Sequence, residues 1–320
     1  MAYTKGLHDL GSGCHAWLQP DGGWGWSNSG LVIGGAASLI VDTLFDLATT
    51  RQMLDGIARL TGRAPVTTVV NTHSDGDHCF GNGLLAAPGV EIIASEAAAG
   101  LITQHAVEEL AALPGAGGRA GDYMKAALAA FRFDDITIAP PTRTFTGRLS
   151  LDIGGREVAL IEVGPAHTAG DVLVHVPDAR LAYAGDILFI DSTPIVWAGP
   201  PQRWVDACDL LLDLPVATIV PGHGPVTDKT GVEHVRDYLD FVITEATKRY
   251  DDGLDVNAAV ASVDLGSYAG LAGRGRLAQN VAAVYRALNP QLPQQSLLDI
   301  FDKIAELEGF APSPGAGGEP

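Results

Sequence analysis

The sequence has little cysteine and no long hydrophobic run. Its three cysteines, Cys14, Cys79 and Cys208, are far apart and odd in number, which argues against a disulfide framework and favours a reducing compartment. No stretch approaches the ~20 apolar residues of a membrane span, and no basic N-terminal segment precedes an apolar run. We therefore expect a cytoplasmic protein with neither a secretion signal nor a membrane partner.

Basic residues are also scarce, since 20 Lys and Arg stand against 38 Asp and Glu, for a net charge of -18. A negative field of this size repels nucleic acid and anionic membranes. The sequence has neither a GxGxxG pattern nor a P-loop, so no nucleotide cofactor is expected. These absences leave a small molecule as the expected partner.

The patterns that are present alternate between strands and helices along 320 residues, which is typical of a layered α/β domain. We predict a catalytic domain over residues 1–230, with an Ala-rich helical insert at about residues 95–133. Apolar residues at helical spacing predict a C-terminal helical extension over residues 231–310. The composition of residues 311–320 is typical of a disordered tail.

The first elements are predicted to be a hairpin and a helix. The runs "SGLVIG" and "ASLIVD" are rich in β-formers and are separated by Gly34 and Gly35, as in a hairpin. The next segment carries leucines near helical spacing. Its expected N-cap is Thr43 and its expected end is Gly62.

The segment "NTHSDGDHCFGN" contains two histidines and two aspartates within six consecutive residues: His73, Asp75, Asp77 and His78. Alternate residues of an extended chain share one face, so the first three are expected to point together, with His78 joining at a turn. Imidazole and carboxylate are ligands that first-row divalent metals prefer. A solvated polar loop is the alternative, but crowded charges after a hydrophobic strand are costly without a partner.

Three later segments each place a possible ligand at the end of a predicted strand. His167 follows "EVALIEV", Asp186 ends "LAYAGD", and His223 follows "ATIVPG". Strand ends beside Gly or Pro are where α/β sheets carry their sites. Each residue alone has an ordinary explanation, such as helix capping by an aspartate. Together they predict a metal site assembled from distant parts of the chain.

The order of these residues resembles the metallo-β-lactamase superfamily. That pattern is a strand-end Asp, then His-x-His-x-Asp-His, Gly-x-x-His, Gly-Asp and Gly-His. Here it is met by Asp42, the "HSDGDH" run, His167, Asp186 and His223, over roughly residues 30–227. The resemblance implies a four-layer αβ/βα sandwich with two divalent metal ions, zinc first among them, at one edge.

The resemblance also assigns a position to each ligand. It implies two sites and a bridge: His73, Asp75 and His167 at site one, Asp77, His78 and His223 at site two, and Asp186 between them. Asp42 would orient the site from behind the ligands, or would simply shape the turn from strand to helix.

Asp75 departs from the family pattern, in which His is usual. An Asp oxygen lies as many bonds from Cβ as the nearer ring nitrogen of His, so Asp75 can reach a metal without a backbone shift. A third ligand carboxylate lowers the net charge of the centre, which weakens Lewis acidity and favours Fe or Mn over Zn. Flavodiiron proteins and diiron amino-acid β-hydroxylases of this fold carry Glu at this position. Some lactamases work with one zinc, and site one would be empty if Asp75 does not bind.

Four tryptophans are candidates for the wall of a substrate pocket: Trp24, Trp26, Trp197 and Trp204. The first two lie in the Gly-rich segment "DGGWGWSNSG", which in this superfamily can form an apolar flap over the substrate. The alternative is a turn whose tryptophans pack against the core.

The sequence therefore predicts a metal-dependent hydrolase that uses a metal-bound hydroxide on an ester, lactone, thioester or amide of a partly apolar small molecule. Asp77 would orient the nucleophile or accept its proton. The alternatives are a diiron oxidoreductase or oxygenase on the same fold, a mono-metal hydrolase, and a binding protein without activity. A homodimer through the C-terminal helices is a further expectation.

Overall fold

Two β-sheets packed face to face form the centre of the molecule. In the computed structural model, which describes residues 3–311, helices cover the outer side of each sheet. The predicted α/β sandwich of four layers is therefore confirmed. The predicted tail lies outside the described residues, apart from its first position.

The first sheet has seven strands in chain order: β1 (Gly6–Asp9), β2 (Cys14–Leu18), β3 (Ser29–Gly34), β4 (Ala37–Val41), β5 (Val66–Val70), β6 (Glu91–Ser95) and β7 (Arg143–Phe145). Neighbours are antiparallel from β1 to β4 and parallel from β4 to β7. The predicted hairpin corresponds to β3 and β4. Its turn contains Gly35 at a φ of 51°, a left-handed conformation that favours glycine.

The second sheet has five strands in the order β12-β11-β10-β9-β8: β8 (Arg148–Ile153), β9 (Arg156–Glu162), β10 (Val172–Val176), β11 (Leu181–Phe189) and β12 (Thr218–His223). Strands β11 and β12 are parallel, and the other neighbours are antiparallel. Because β11 and β12 run the same way, their C-terminal ends reach the same edge of the sandwich.

Side chains of the central strands alternate between two apolar clusters. Val32 packs between the sheets against residues of the second sheet such as Leu160. The next position toward the N-terminus, Leu31, points outward with Ile40 onto helix α1 (Leu47–Thr61). Both faces of the first sheet are thus buried, which explains the nearly continuous apolar runs in the sequence.

Helix α1 begins later than predicted, because its N-cap is Asp46 and not Thr43. The Asp46 carboxylate accepts a hydrogen bond from Thr49 N at 2.7 Å, as the first half of a capping box. Thr43 instead donates to Asn82 Oδ1 at 3.2 Å in the interior. The predicted end at Gly62 agrees with the observed C-cap.

The other helices differ in length and in the layer they join: α2 (Gly76–Cys79), α3 (Glu96–Ala99), α4 (Gln104–Ala112), α5 (Gly118–Ala127), α6 (Pro201–Asp213), α7 (Lys229–Asp251), α8 (Val256–Ser262), α9 (Leu277–Leu288) and α10 (Leu297–Leu307). Helices α3 to α5 lie between β6 and β7, where the insert was predicted, and α7 to α10 follow β12. Within residues 3–311, no helix has the length and apolar character needed to cross a membrane.

The segment between β6 and β7 contacts the last helix directly. Arg119 of α5 forms a two-point ion pair with Asp302 of α10, with its shorter contact at 2.6 Å. Tyr123 donates to Glu308 at 2.9 Å and accepts from Trp24 Nε1 at 2.7 Å. These contacts join three distant parts of the sequence on one side of the site described next.

Candidate metal centre and adjoining cavity

The strand ends singled out in the sequence meet at one edge of the sandwich. Asp42 follows β4, His73 follows β5, and His167 lies in the loop between β9 and β10. Asp186 is part of β11, and His223 is the last residue of β12. The folding of the two sheets against each other therefore brings together residues from both halves of the chain.

The main motif turns earlier than an extended strand would. Gly76 begins the short helix α2, and Asp75 stands at its N-cap in an extended conformation. The prediction that an extended run aligns His73, Asp75 and Asp77 is therefore wrong in its local geometry. The turn divides the run, so that His73 and Asp75 lie in one group of candidate ligands and Asp77 and His78 lie in another.

The first group consists of His73, Asp75 and His167. Asp75 Oδ2 lies 3.2 Å from His167 Nε2 and 3.9 Å from His73 Nε2. Both histidine side chains are buried, whereas 32% of the Asp75 side chain is exposed. Asp75 is therefore the most exposed member of this group.

The second group consists of Asp77, His78 and His223. Asp77 Oδ2 lies 3.3 Å from His223 Nε2 and 3.8 Å from His78 Nε2. Asp186 stands between the groups, with Oδ1 at 3.0 Å from His78 Nε2 and Oδ2 at 3.3 Å from His223 Nε2. The same Oδ2 lies 3.4 Å from His167 Nε2, which places Asp186 where a ligand shared by two metals would stand.

These separations fit metal coordination. Ligand atoms at ~2.1 Å from a tetrahedral zinc are themselves ~3.4 Å apart, close to the distances within each group. His73 Nε2, His78 Nε2 and Asp186 Oδ1 are buried and have no hydrogen-bond partner within residues 3–311. Buried polar atoms without partners are costly, and a cation held among them would remove that cost. The residues present therefore fit two metal ions.

Two of the histidines hold Nδ1 against a backbone carbonyl. His167 Nδ1 donates to Ile195 O at 2.7 Å, and His223 Nδ1 donates to Trp26 O at 3.2 Å. A carbonyl oxygen only accepts, so the proton is on Nδ1 in both rings. When the ring is neutral, each Nε2 is then left with a lone pair that faces the cluster, as metal ligation requires.

Asp42 orients the other two histidines. Its Oδ2 accepts from His78 Nδ1 at 2.8 Å and from the Thr72 hydroxyl at 2.7 Å. Because Thr72 Oγ1 has given its proton to Asp42, it accepts from His73 Nδ1, which is 2.9 Å away. Asp42 thus fixes His78 directly and His73 through Thr72, one ligand in each group.

The electrostatics of the cluster also favour bound cations. Burial lowers the pKa of His223, but Asp186 and Asp77 outweigh it and raise that pKa to about 9. For Asp186, burial would raise the pKa, yet His223 and His78 hold it well below its usual range. The buried carboxylates are therefore stabilised by nearby positive charge, which either protons on the histidines or bound metal ions can supply.

Asp171 supports the site but is not among the residues predicted from the sequence, although it ends the segment "PAHTAGD" that contains His167. Its buried carboxylate accepts from Ala166 N at 3.1 Å and from Thr168 N and Oγ1 at 3.0 and 2.8 Å. These bonds shape the loop that carries His167. Burial raises the pKa of Asp171 to about 6. An aspartate four residues after a candidate ligand was the signal available.

Replacing Asp42 with Asn should weaken metal binding by about 10- to 100-fold, the usual effect of losing a carboxylate behind a ligating histidine. Asp42 adopts a φ of 60°, which Asn tolerates, so this change tests the carboxylate with little strain on the backbone. Metal affinity should be measured by competition with a chromophoric chelator. Both sites should weaken, because Asp42 reaches a ligand of each.

Thr72→Val is the matched variant, since it removes the hydroxyl that links Asp42 to His73 and leaves the direct bond between Asp42 and His78 in place. It should weaken site one and leave site two with wild-type affinity. An Asp42→Asn protein that binds two metals as tightly as the wild type would contradict the assigned role of Asp42.

Asp75→His should raise zinc affinity at site one, because imidazole suits zinc and the variant restores the usual ligand set. The geometry favours this change, since Asp75 Oδ2 already lies within 3.9 Å of both histidines of its group. Zinc titration of the wild type and the variant is the measurement, with Asp75→Asn as the matched variant that should lose affinity. Equal binding of a single metal by all three proteins would exclude Asp75 as a ligand.

The cluster opens into a cavity of about 620 Å³. Asp75, Asp77, Asp186, His167 and His223 line its floor. The walls come from the N-terminal turn, from the segment between β6 and β7, from the end of β11 with the loop that follows it, and from the C-terminal helices. The residues are Trp24, Leu110, Leu128, Phe189, Trp197, Ile300 and Phe301. A largely apolar wall over a polar floor is typical of a small-molecule site.

The predicted tryptophans divide between the cavity and the core. Trp24 and Trp197 line the cavity, and both rings contact Phe301, at centroid distances of 5.3 and 6.2 Å. Trp26 does not line this cavity and packs on Phe131 at 4.8 Å. Trp204 is fully buried behind the centre, against the His167 ring at 5.4 Å. The prediction that Trp204 lines the pocket is therefore wrong, because its side chain packs behind the candidate metal ligand His167.

Comparison with known proteins identifies the family. The family model of the metallo-beta-lactamase superfamily matches residues 22–223. Among curated proteins, the chain is 26% identical over 242 residues to the 2,4-dinitroanisole O-demethylase subunit alpha of Nocardioides sp. (strain JS1661). That match covers 74% of this chain and 61% of the relative, so the chain spans less than two thirds of the relative's length.

Solved structures show the same fold. The sec-alkylsulfatase Pisa1 from Pseudomonas sp. superposes with a TM-score of 0.70 at 19% identity, over 91% of this chain and 52% of that one. A metallo-beta-lactamase from Pontibacter korlensis gives a TM-score of 0.56 at 20% identity, over 73% of this chain and 98% of that one. Because the family model matches residues 22–223, more than half of the chain, the chain belongs to the metallo-beta-lactamase superfamily.

Proposed function

We propose that this protein is a metal-dependent hydrolase of a small, partly apolar molecule with an ester, lactone, thioester or amide bond. The observation that carries the proposal is the two-part ligand cluster at the floor of an apolar cavity. Three carboxylates and four histidines face one another there with unpartnered buried atoms. Such a set suits two divalent ions, with zinc as the first candidate.

When bound, the metal ions would polarise the scissile carbonyl and lower the pKa of a coordinated water. The protein's own residues position the reaction. Asp77 lines the cavity floor, and its Oδ2 lies beside His223 Nε2; we propose that it orients the attacking water or accepts its proton. Asp42 and the carbonyls of Ile195 and Trp26 keep the ligating rings in one tautomer, so little reorganisation accompanies the reaction.

Metal analysis and a turnover assay on the same preparation test this function. The protein should be purified without added metal and its metal content determined by mass spectrometry. Two zinc ions with hydrolysis of a test ester such as 4-nitrophenyl valerate would support the proposal. Two iron ions with a visible absorption band would favour the diiron oxidoreductase, and one zinc ion with full activity would favour the mono-metal hydrolase.

Demethylation of an aromatic methyl ether is a second candidate, because the curated relative is an O-demethylase subunit. The aromatic wall of Trp24, Trp197 and Phe301 suits a flat ring. Incubation with 2,4-dinitroanisole and detection of 2,4-dinitrophenol by its absorbance would test it. Product formed by the wild type but not by Asp186→Asn would favour this candidate over ester hydrolysis, provided that the test esters are untouched.

A further inference from the structure

We infer that Arg276 binds a compact oxyanion group, a carboxylate or a sulfate, on the apolar substrate of this site. The inference rests on the proposed function for the reaction and on the geometry of Arg276 for the anion. Arg276 lies just before α9, in the C-terminal extension, and lines the same cavity as the metal ligands. It lies outside residues 22–223, the region that the family model matches.

Arg276 is a buried cation that has no carboxylate partner among the residues that the structure describes. Its side chain is 5% exposed, and among residues 3–311 it forms no ion pair within 4.0 Å. Within the same residues, its guanidinium donates one hydrogen bond, from Nη1 to Thr193 O at 2.8 Å, and its Nε has no partner. Burying a charge in this way is costly unless something else compensates it, and an anionic ligand would do so.

The guanidinium is held in place by aromatic rings. Its Cζ lies 4.2 Å from the centroid of the Trp24 ring and 5.5 Å from that of Phe189. These cation–π contacts and the bond to Thr193 fix the plane of the group before any ligand arrives. A preorganised guanidinium with free donors is suited to two-point binding of an oxyanion.

The position of Arg276 relative to the metal centre sets the size of the substrate. Phe189 contacts both: its ring centroid lies 5.5 Å from Arg276 Cζ, and the ring is stacked on His223 with centroids 5.0 Å apart. An anion at Arg276 is therefore separated from the reacting bond by about one aromatic ring, a gap that a short alkyl or aryl spacer fills. Gln279 lies one helical turn further on, and its buried Oε1 has no donor; it would accept an N–H or O–H of the same molecule.

The charge of the cavity supports an anionic group. Apart from the three aspartates of the metal cluster, its wall has one carboxylate, Glu109, among the described residues that line it. Two arginines, Arg276 and Arg286, also line the cavity and outnumber this carboxylate. With the aspartates engaged by metal ions, the remaining wall charge is positive, in contrast to the negative surface of the whole protein.

The test compares two esters that differ only at one end. 4-Nitrophenyl hydrogen glutarate carries a carboxylate where 4-nitrophenyl valerate carries a methyl group. The metal-loaded wild type should prefer the glutarate ester in kcat/KM. Arg276→Met should lower the ratio of the two kcat/KM values by about 10- to 100-fold, the usual effect of losing a charge-assisted hydrogen bond. The ratio is used because it cancels any general loss of activity.

Arg274→Met is the matched control, since Arg274 is an exposed arginine two positions away; its ratio should equal that of the wild type. Arg276→Gln is a second neutral variant that can still donate to Thr193 O, in case the Met variant does not fold. If a folded neutral variant keeps the wild-type ratio, Arg276 does not bind the carboxylate and the inference is overturned.

A binding experiment separates failure of this inference from failure of the proposed function. Hexanoate, hexane-1-sulfonate and neutral hexanamide should be titrated calorimetrically into the wild type and the Arg276 variants, all loaded with metal. The wild type should bind at least one anion about 10-fold more tightly than the amide. The anion that binds more tightly shows whether the site prefers a carboxylate or a sulfate-like group. If the wild type prefers the anions but does not hydrolyse the esters, the proposed ester hydrolysis is wrong and the inference about Arg276 stands. An equal preference in the Arg276 variants would place the anion on the metals and overturn the inference.

Discussion

Replacing Asp186 with Asn should remove at least one metal ion and nearly all turnover. Asp186 faces His73, His78, His167 and His223, with its closest contact at 3.0 Å to His78 Nε2. Removing one member of a buried charge cluster costs about 3–5 kcal/mol, which corresponds to a loss of about 100- to 1,000-fold or more in metal affinity. Asn keeps the shape of the side chain, so the fold should persist. Metal content and kcat/KM on the same sample are the measurements.

His223→Ala should have the same kind of effect, because His223 is the contribution of β12 to the second group of ligands. His234→Ala is the matched control, since it removes an exposed histidine of α7 and should leave metal content and rate unchanged. Full metal content and full rate in His223→Ala would show that the ligand assignment is wrong.

Removal of the chain from Lys229 onward should give insoluble or unfolded protein. Helix α7 buries Val235, Tyr238, Leu239 and Val242 in the same apolar cluster that covers the outer side of the second sheet. Truncation would expose that side of the sheet and would also remove the wall that α9 and α10 give to the cavity. An exposed apolar face of this kind leads to aggregation. Soluble yield and circular dichroism are the measurements.

Single leucine-to-alanine substitutions change the packing of these helices less severely than truncation does. Leu239 is 1% exposed, so Leu239→Ala should lower the free energy of unfolding by about 2–5 kcal/mol. Leu288 is 43% exposed, so Leu288→Ala should change it by about 0.5 kcal/mol or less. A soluble truncated protein with unchanged kinetics would show that the helices are a dispensable appendage.

The sequence by itself determined the fold class and most of the candidate ligands. Apolar runs such as those of β3 and β4 mark buried strands because hydrogen-bonded strands between two layers need apolar residues on both faces. The histidines and aspartates at strand ends are rare enough in that setting to predict a metal centre. Their order along the chain then pointed to the family, since metal chemistry restricts both residue type and spacing.

The local shape of the motif could not be determined from the sequence. His73, Asp75 and Asp77 alternate as in a strand, but the chain turns into α2 at Gly76. Tertiary contacts at this edge of the sandwich override the local sequence pattern. The same holds for Trp204, which the sequence places near the site but the packing places beneath His167. A pattern of residue types does not say which side of a ligand an aromatic ring will occupy.

Only the tertiary structure decided how the histidines are oriented and what lines the cavity. Thr72 and the carbonyls of Ile195 and Trp26 fix the rings through hydrogen bonds, and a backbone carbonyl has no signature in a sequence. In the sequence, Arg276 is an ordinary basic residue. It is buried beside Trp24 only because α9 packs on the sandwich. Burial and hydrogen bonding depend on distances between distant segments, which is why the folded chain and not its pattern determines them.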